Sequence, residues 1–84
     1  MKDTIEITRP ISIPFSDRTV AGTARYRVLN DMGHFIASLQ GIEYEGRYLN
    51  RDECISWLNS SFIQDHEEQA SRVVTLEHFK DDKP

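Results

Sequence analysis

Residues 4–15 read TIEITRPISIPF, and this stretch alternates apolar and polar side chains with a period of two. The apolar members share one face of an extended chain; they are Ile5, Ile7, Ile11, Ile13 and Phe15. Because successive side chains of a strand point to opposite faces, the pattern predicts a half-buried β-strand. Pro10 and Pro14 fall on the other face and lack the N–H group that a ladder uses. The strand is therefore predicted at a sheet edge, or broken in two near Pro10.

Two further strands follow from the same alternation. In residues 19–29 one predicted face is apolar and the other is polar and basic; the apolar members are Val20, Ala24, Tyr26 and Val28, and the others are Thr19, Thr23, Arg25 and Arg27. Residues 30–33 have the composition of a turn, with Gly33 suited to positive φ, and predict a hairpin to residues 35–39. The apolar phase shifts at Gly41, which indicates a bulge, or else a second tight turn at residues 45 and 46.

A helix is predicted from Asn50, which is followed by Asp52 and Glu53 in the first turn with capping-box spacing. Its apolar stripe, expected to face the sheet, consists of Cys54, Ile55, Trp57, Leu58 and Phe62. Residues 59–61 are weak helix formers and predict an end or bend, with a polar continuation over residues 64–72. Residues 73–79 contain β-branched and aromatic residues and predict a final short strand, with Val74 and Leu76 pointing inward.

Together these elements predict an α+β fold: a small antiparallel sheet in the order β-β-β-α-β, with one main helix packed on one face and a second short helix left open. A chain of 84 residues has the size of one small domain. We expect that domain to span residues 1–79 and residues 80–84 to form a flexible C-terminal tail. So short a chain buries too little surface to enclose a large reaction chamber.

The charge distribution favours some partners over others. The formal net charge is −4, divided into +1 over residues 1–51 and −5 over residues 52–84. This sign disfavours general binding to nucleic acid or to anionic membranes. No stretch approaches the ~20 apolar residues of a membrane span, and the first residues do not resemble a signal sequence. The single cysteine, Cys54, cannot form an internal disulfide, so we expect a cytoplasmic protein.

No motif for catalysis, metal binding or cofactor binding is present. His34, His66 and His78 lie neither three nor four residues from one another or from Cys54, so zinc-ligand spacing is missing. The four glycines are scattered and form no phosphate-binding loop. We therefore expect no cofactor and no enzyme, with an enzyme whose site is invisible in sequence as the last alternative. Cys54 is expected to be a buried packing residue.

The acidic C-terminal third suggests a protein-interaction module. Its candidate contact residues are Asp65, Glu67, Glu68 and Glu77. We expect a bacterial or phage-type modulator or inhibitor that binds another protein through this acidic helix and tail, or through an exposed strand edge. The partner class includes nucleic-acid-binding proteins, because carboxylates can occupy the positions of phosphates. An edge strand also leaves homodimerisation open. Solubility alone is the competing explanation of the acidic surface.

A nucleic-acid-binding sheet is the alternative function. Its candidate residues are Arg18, Arg25, Arg27 and Arg47. The β-β-β-α order over about residues 19–62, with Trp57 and Leu58 in the helix, resembles the arm-binding domains of phage-type integrases, and that resemblance implies a three-stranded sheet that contacts DNA. The competing expectation is that Arg25 and Arg27 form cross-strand salt bridges with Glu43 or Glu45 on a solvated face.

Overall fold

The computed structural model describes residues 3–81, with side chains described for residues 4–77. Four strands are followed by two helices; they are β1 (Asp3–Pro14), β2 (Thr19–Asp31), β3 (His34–Tyr44), β4 (Arg47–Asn50), α1 (Arg51–Trp57) and α2 (Ser60–Asp81). The strands form one antiparallel sheet in the order β1-β2-β3-β4. The α+β class and the single main helix are thus confirmed. Within residues 3–81, no helix is both long and apolar enough to cross a membrane.

The two faces of the sheet differ in burial. We call the face that packs against the helices the inner face; its buried side chains are Ile11, Ile13, Val20, Ala24, Tyr26, Val28, Phe35, Ala37, Leu39, Ile42, Tyr44 and Leu49. They form one cluster with Cys54 of α1 and with Ala70 and Val74 of α2. The opposite, outer face carries exposed side chains such as Arg25 and Tyr48. The alternation in the sequence therefore identifies the core face correctly.

β1 lies at one edge of the sheet, as its prolines predict. It pairs with β2 without interruption, with Pro10 opposite Thr23 and Pro14 opposite Thr19. Pro10 and Pro14 are four positions apart, so their backbone nitrogens point to the same side of the strand. Both can therefore point away from β2, where no ladder hydrogen bond is lost. They leave gaps among the donors of the open edge, which hinders the addition of another strand.

Both alternatives predicted for β3, the bulge near Gly41 and the tight turn at residues 45 and 46, occur. The pairing with β2 shifts between Arg25 and Tyr26, which face Gly41 and Leu39, so Gln40 is the extra residue of a bulge. A second two-residue turn then joins β3 to β4 through Glu45 and Gly46, at φ 47° and 74°. The first hairpin turn has Met32 at φ 56° and Gly33 at φ 89°, which confirms the predicted positive φ at Gly33.

Gly22 permits a close approach between the strands. A Cβ atom at this position would lie 2.7 Å from the Glu43 carbonyl oxygen and 3.3 Å from Cδ1 of Ile13. No side chain fits at such distances without displacing backbone. Gly22 therefore lets β1 and β3 approach each other across β2 on the inner face.

The helices begin and bend where the sequence predicts. Asn50 caps α1: its Oδ1 accepts from the Glu53 N–H at 2.9 Å, and Oε1 of Glu53 accepts from the Asn50 N–H at 3.2 Å. The chain leaves helical geometry at Leu58, whose φ and ψ are −105° and 151°. α2 then starts at Ser60, and Asn59 accepts from the Ser61 N–H at 2.8 Å.

The predicted final strand over residues 73–79 is wrong, because α2 runs through this segment. Ala70 and Val74, one helical turn apart, are buried together, while Leu76 is exposed and not inward. Val73 and Val74 are β-branched, but the strand preference of each is worth less than about 1 kcal/mol, and no glycine or proline interrupts residues 60–81. Packing of one helical face on β3 therefore overrides the local preference. The helix also includes Asp81, so it enters the segment predicted as a tail; residues 82–84 lie outside the described residues.

Candidate protein-binding surface

The exposed side of α1 carries both apolar and acidic side chains, and Ile55 and Trp57 lie on its two flanks, about 160° apart around the helix axis. We call it the α1 surface; it consists of Asp52, Glu53, Ile55, Ser56 and Trp57, all exposed or half-buried. Helical spacing places Ile55 and Ser56 one turn after Asp52, and Trp57 one turn after Glu53. The opposite side of the helix is held in the core by Cys54, which is 1% exposed.

Ile55 and Trp57 do not face the sheet, contrary to the prediction from the apolar stripe. Ile55 is 55% exposed and Trp57 is 64% exposed. The reason is that α1 has only seven residues and the chain turns at Leu58. Leu58 and Phe62, on the far side of this turn, are half-buried against the core instead. The predicted apolar stripe assumed one straight helix through Phe62, and for that reason it placed two exposed residues in the core.

The two helices together carry a net negative charge. Residues 51–77 contain six acidic side chains and two basic ones, a net charge of −4. The acidic residues are Asp52, Glu53, Asp65, Glu67, Glu68 and Glu77, and the basic ones are Arg51 and Arg72. The last turn of α1 contains no basic residue. A partner that covers α1 thus meets a negative potential.

The four acidic candidates from the sequence are not brought together in one site. Asp65 and Glu77 are both exposed but lie twelve positions apart on α2, which corresponds to about 18 Å along the helix axis. Glu68 is exposed and pairs with Arg72 at 3.0 Å within the helix. Glu67 instead faces the sheet, where its Oε2 accepts from the Leu39 N–H at 2.7 Å. Glu67 therefore supports the fold.

The four arginine candidates also occupy different places. Arg25 and Arg27 project from the outer face of β2 two positions apart, or about 7 Å. Neither forms a salt bridge with any carboxylate among the described residues. Arg18 lies in the first turn and pairs with Glu45 at 3.3 Å. Arg47 stands opposite Tyr44, an inner-face position, so it does not join Arg25 and Arg27.

The cysteine and the histidines were the sequence candidates for catalysis or metal binding. The Cys54 thiol donates to the Leu49 carbonyl at 3.7 Å, and its pKa is raised by burial and then by Glu53. His66 lies against Phe62 with ring centroids 4.3 Å apart. His34 is exposed beside the turn, and the side chain of His78 lies outside the described residues. In the described part of the chain, no three potential metal ligands cluster.

Comparisons with protein-family models, with curated proteins and with solved structures find no match to this chain.

Proposed function

We propose that this chain is a small protein-interaction module that binds a basic partner protein through the α1 surface. The observation that supports this proposal is the exposure of Trp57 and Ile55 on a short helix whose other side is anchored by Cys54. Tryptophan is enriched among the residues that dominate binding energy at protein interfaces. Trp57 and Ile55 belong neither to the buried core cluster nor to the partly buried residues that pack against it.

The α1 surface is held in place before any partner arrives. The capping box fixes the first turn of α1, and Cys54 anchors the helix in the core cluster and donates its thiol hydrogen bond to Leu49 of β4. A preformed surface loses little conformational entropy on binding, so more of the contact energy appears as affinity. Burial of Trp57 in a partner's pocket is expected to contribute about 2 kcal/mol or more.

The acidic residues of the α1 surface, Asp52 and Glu53, favour a partner with a basic surface. Opposite charge at the rim of an interface accelerates association and disfavours acidic competitors. A nucleic-acid-binding protein presents such a surface, which suits the role of a modulator or inhibitor. The open edge of β1 is a less suitable attachment point because Pro10 and Pro14 lack donors. The lone, buried and free Cys54 suits a reducing compartment, and we propose the cytoplasm.

The experiment measures the affinity of the Trp57→Ala and Leu76→Ala variants for the same purified partner protein. Leu76 is 67% exposed on α2, so both variants remove one exposed apolar side chain. We expect Trp57→Ala to weaken binding at least about 30-fold by calorimetry, which corresponds to about 2 kcal/mol, and Leu76→Ala to leave it unchanged. Equal affinity of the two variants and the native chain would refute the assignment to α1.

Charge is tested separately with Asp52→Asn. The association rate should fall at low ionic strength, and the difference from the native chain should disappear as salt screens the interaction. Glu77→Gln, which removes the same charge far from α1, is the control. A partner whose association rate responds equally to both changes would be attracted by net charge alone.

Nucleic-acid binding through the outer face remains the second candidate function. It is favoured by the absence of ion pairs to Arg25 and Arg27 within the described residues, and by the β-β-β-α order of residues 19–57. Glu6, which stands opposite Arg27, offsets part of this charge. Gel retardation at ~50 mM salt should be weakened by Arg25→Gln and Arg27→Gln but not by Arg47→Gln. No retardation at about 10 μM native protein would exclude this candidate.

A further inference from the structure

A single cation interrupts the apolar inner face of β1. Arg9 follows Ile7 and precedes Ile11 in the inward-facing series, and it stands opposite Ala24 of β2. Its side chain is half-buried and has no carboxylate within ion-pair distance among the described residues. An unpaired guanidinium beside a core loses hydration without a compensating partner. The interrupted alternation is the sequence signal that marks this residue.

Arg9 borders an open cleft between the sheet and α2. The cleft has a volume of about 380 Å³, and the polar side chains around it come from β1, β2 and α2. They are Arg9, Ser12, Tyr26, His66 and Gln69, and Ile11 and Gly22 also line the cleft. α2 packs mainly on β3, and the cleft lies between α2 and the neighbouring strands β1 and β2.

Tyr26 contributes a hydrogen-bonding group that the fold leaves unused. The residue is only 2% exposed, and its hydroxyl has no hydrogen bond with any described residue. It is not a sealed polar atom, since no fully enclosed side-chain oxygen or nitrogen in the described structure lacks a partner. The ring belongs to the core cluster, and the residue also lines the cleft. A buried phenol normally finds a partner.

The two residues from α2 add complementary groups. Nδ1 of His66 lies 2.9 Å from the Phe62 carbonyl oxygen, which only accepts, so Nδ1 carries the proton. This contact leaves Nε2 as the ring nitrogen without a partner in the described structure. Gln69 offers both an amide donor and a carbonyl acceptor. The cleft thus combines one cation and one phenol with groups suited to an amide.

We propose that this cleft binds a carboxylate, held by the guanidinium of Arg9 and the hydroxyl of Tyr26, with His66 and Gln69 in contact with the adjoining amide of the ligand. Arginine binds carboxylates with two parallel hydrogen bonds, which are stronger than bonds between neutral groups. One cation matches one negative charge. Glu67, whose charge also reaches the Tyr26 hydroxyl, opposes any anion here and opposes a doubly charged phosphate more than a singly charged carboxylate.

The test is an NMR titration of the full chain with N-acetylglycine, with its C-terminal amide, and with inorganic phosphate. We expect saturable shifts for N-acetylglycine at the Arg9 side chain and at the Ile11 and Gly22 amides, and none with the amide analogue. Arg9→Gln should weaken binding at least about 10-fold, as expected for loss of a charge-assisted hydrogen bond. Arg25→Gln, an equal charge change on the outer face, should not.

Tyr26→Phe keeps the ring and removes only the hydroxyl, and we expect it to weaken binding several-fold. Tyr48→Phe on the outer face is its control. Equal shifts by the acid and the amide, or saturation by phosphate alone, would overturn the proposal. So would unchanged affinity in Arg9→Gln. A longer probe, N-acetyl-triglycine, identifies the source of the carboxylate: tighter binding than N-acetylglycine indicates a peptide C-terminus, and equal binding indicates a small free acid.

Discussion

The carboxylate of Glu67 accepts a hydrogen bond from the backbone N–H of Leu39 at 2.7 Å. A side chain of α2 thus provides the acceptor for an N–H group at the edge of β3. β4 pairs only with residues 41–44 of β3, with Asn50 as its last paired residue, so no strand within residues 3–81 covers the preceding part of that edge. One turn further along α2, Ser71 accepts from the Ala37 N–H at 2.9 Å. Polar groups of α2 thus replace a missing strand, a recognised protection of sheet edges.

Glu67→Ala should lower the free energy of unfolding by about 1–3 kcal/mol, because it leaves the part-buried Leu39 N–H without an acceptor. Glu67→Gln keeps an acceptor oxygen and should cost less. Urea unfolding measures both. Glu68→Ala, on the exposed side of the same helix, should change stability by under about 0.5 kcal/mol. Similar losses at Glu67 and Glu68 would indicate a general effect of helix charge.

Gly22→Ala should destabilise the fold by about 1–3 kcal/mol, because the added methyl group would be forced against the Glu43 carbonyl oxygen. Thermal or urea unfolding reports the change. Ala21→Ser, at the exposed neighbouring position, is the matched control and should stay within about 0.5 kcal/mol. A neutral Gly22→Ala would show that β1 and β3 do not approach closely in solution.

Tyr26 should make the protein less stable in alkali. Burial raises its pKa to about 12 from an unfolded value of 10.0, with a lowering contribution from Arg9 and a raising one from Glu67. Between these pH values the unfolded chain releases a proton that the folded chain retains, so unfolding becomes more favourable as pH rises. Urea unfolding at pH 9 to 11.5 should show this decline, and Tyr26→Phe should reduce its slope.

Cys54 should resist modification while the chain is folded. Its thiol is buried and its pKa is raised by that burial, so both access and thiolate formation are limited. Reaction with a thiol reagent at pH 8 should be at least about 100-fold slower in buffer than in denaturant. The control is Cys54→Ser combined with Ser56→Cys, which moves the thiol to the α1 surface. Rapid labelling of native Cys54 would mean that α1 detaches readily.

Local patterns predicted the parts of the fold that depend on neighbours in sequence. The period of two in β1 and β2, the positive φ of Gly33 and the capping box of Asn50 and Glu53 all involve residues at most a few positions apart. Steric and hydrogen-bonding preferences over such distances act in the same way in any tertiary context. These features could be predicted because their causes are local.

Tertiary contacts decided the rest. The sequence by itself determined an antiparallel sheet, a helix start near Asn50 and an acidic C-terminal third. Only the folded chain shows that residues 73–79 are helical, that Glu67 binds the edge of β3, and that Trp57 is exposed. The same holds for the cleft that joins Arg9 to Tyr26. Burial and pairing depend on which surfaces of distant segments meet, and a periodic pattern within one segment does not contain that information.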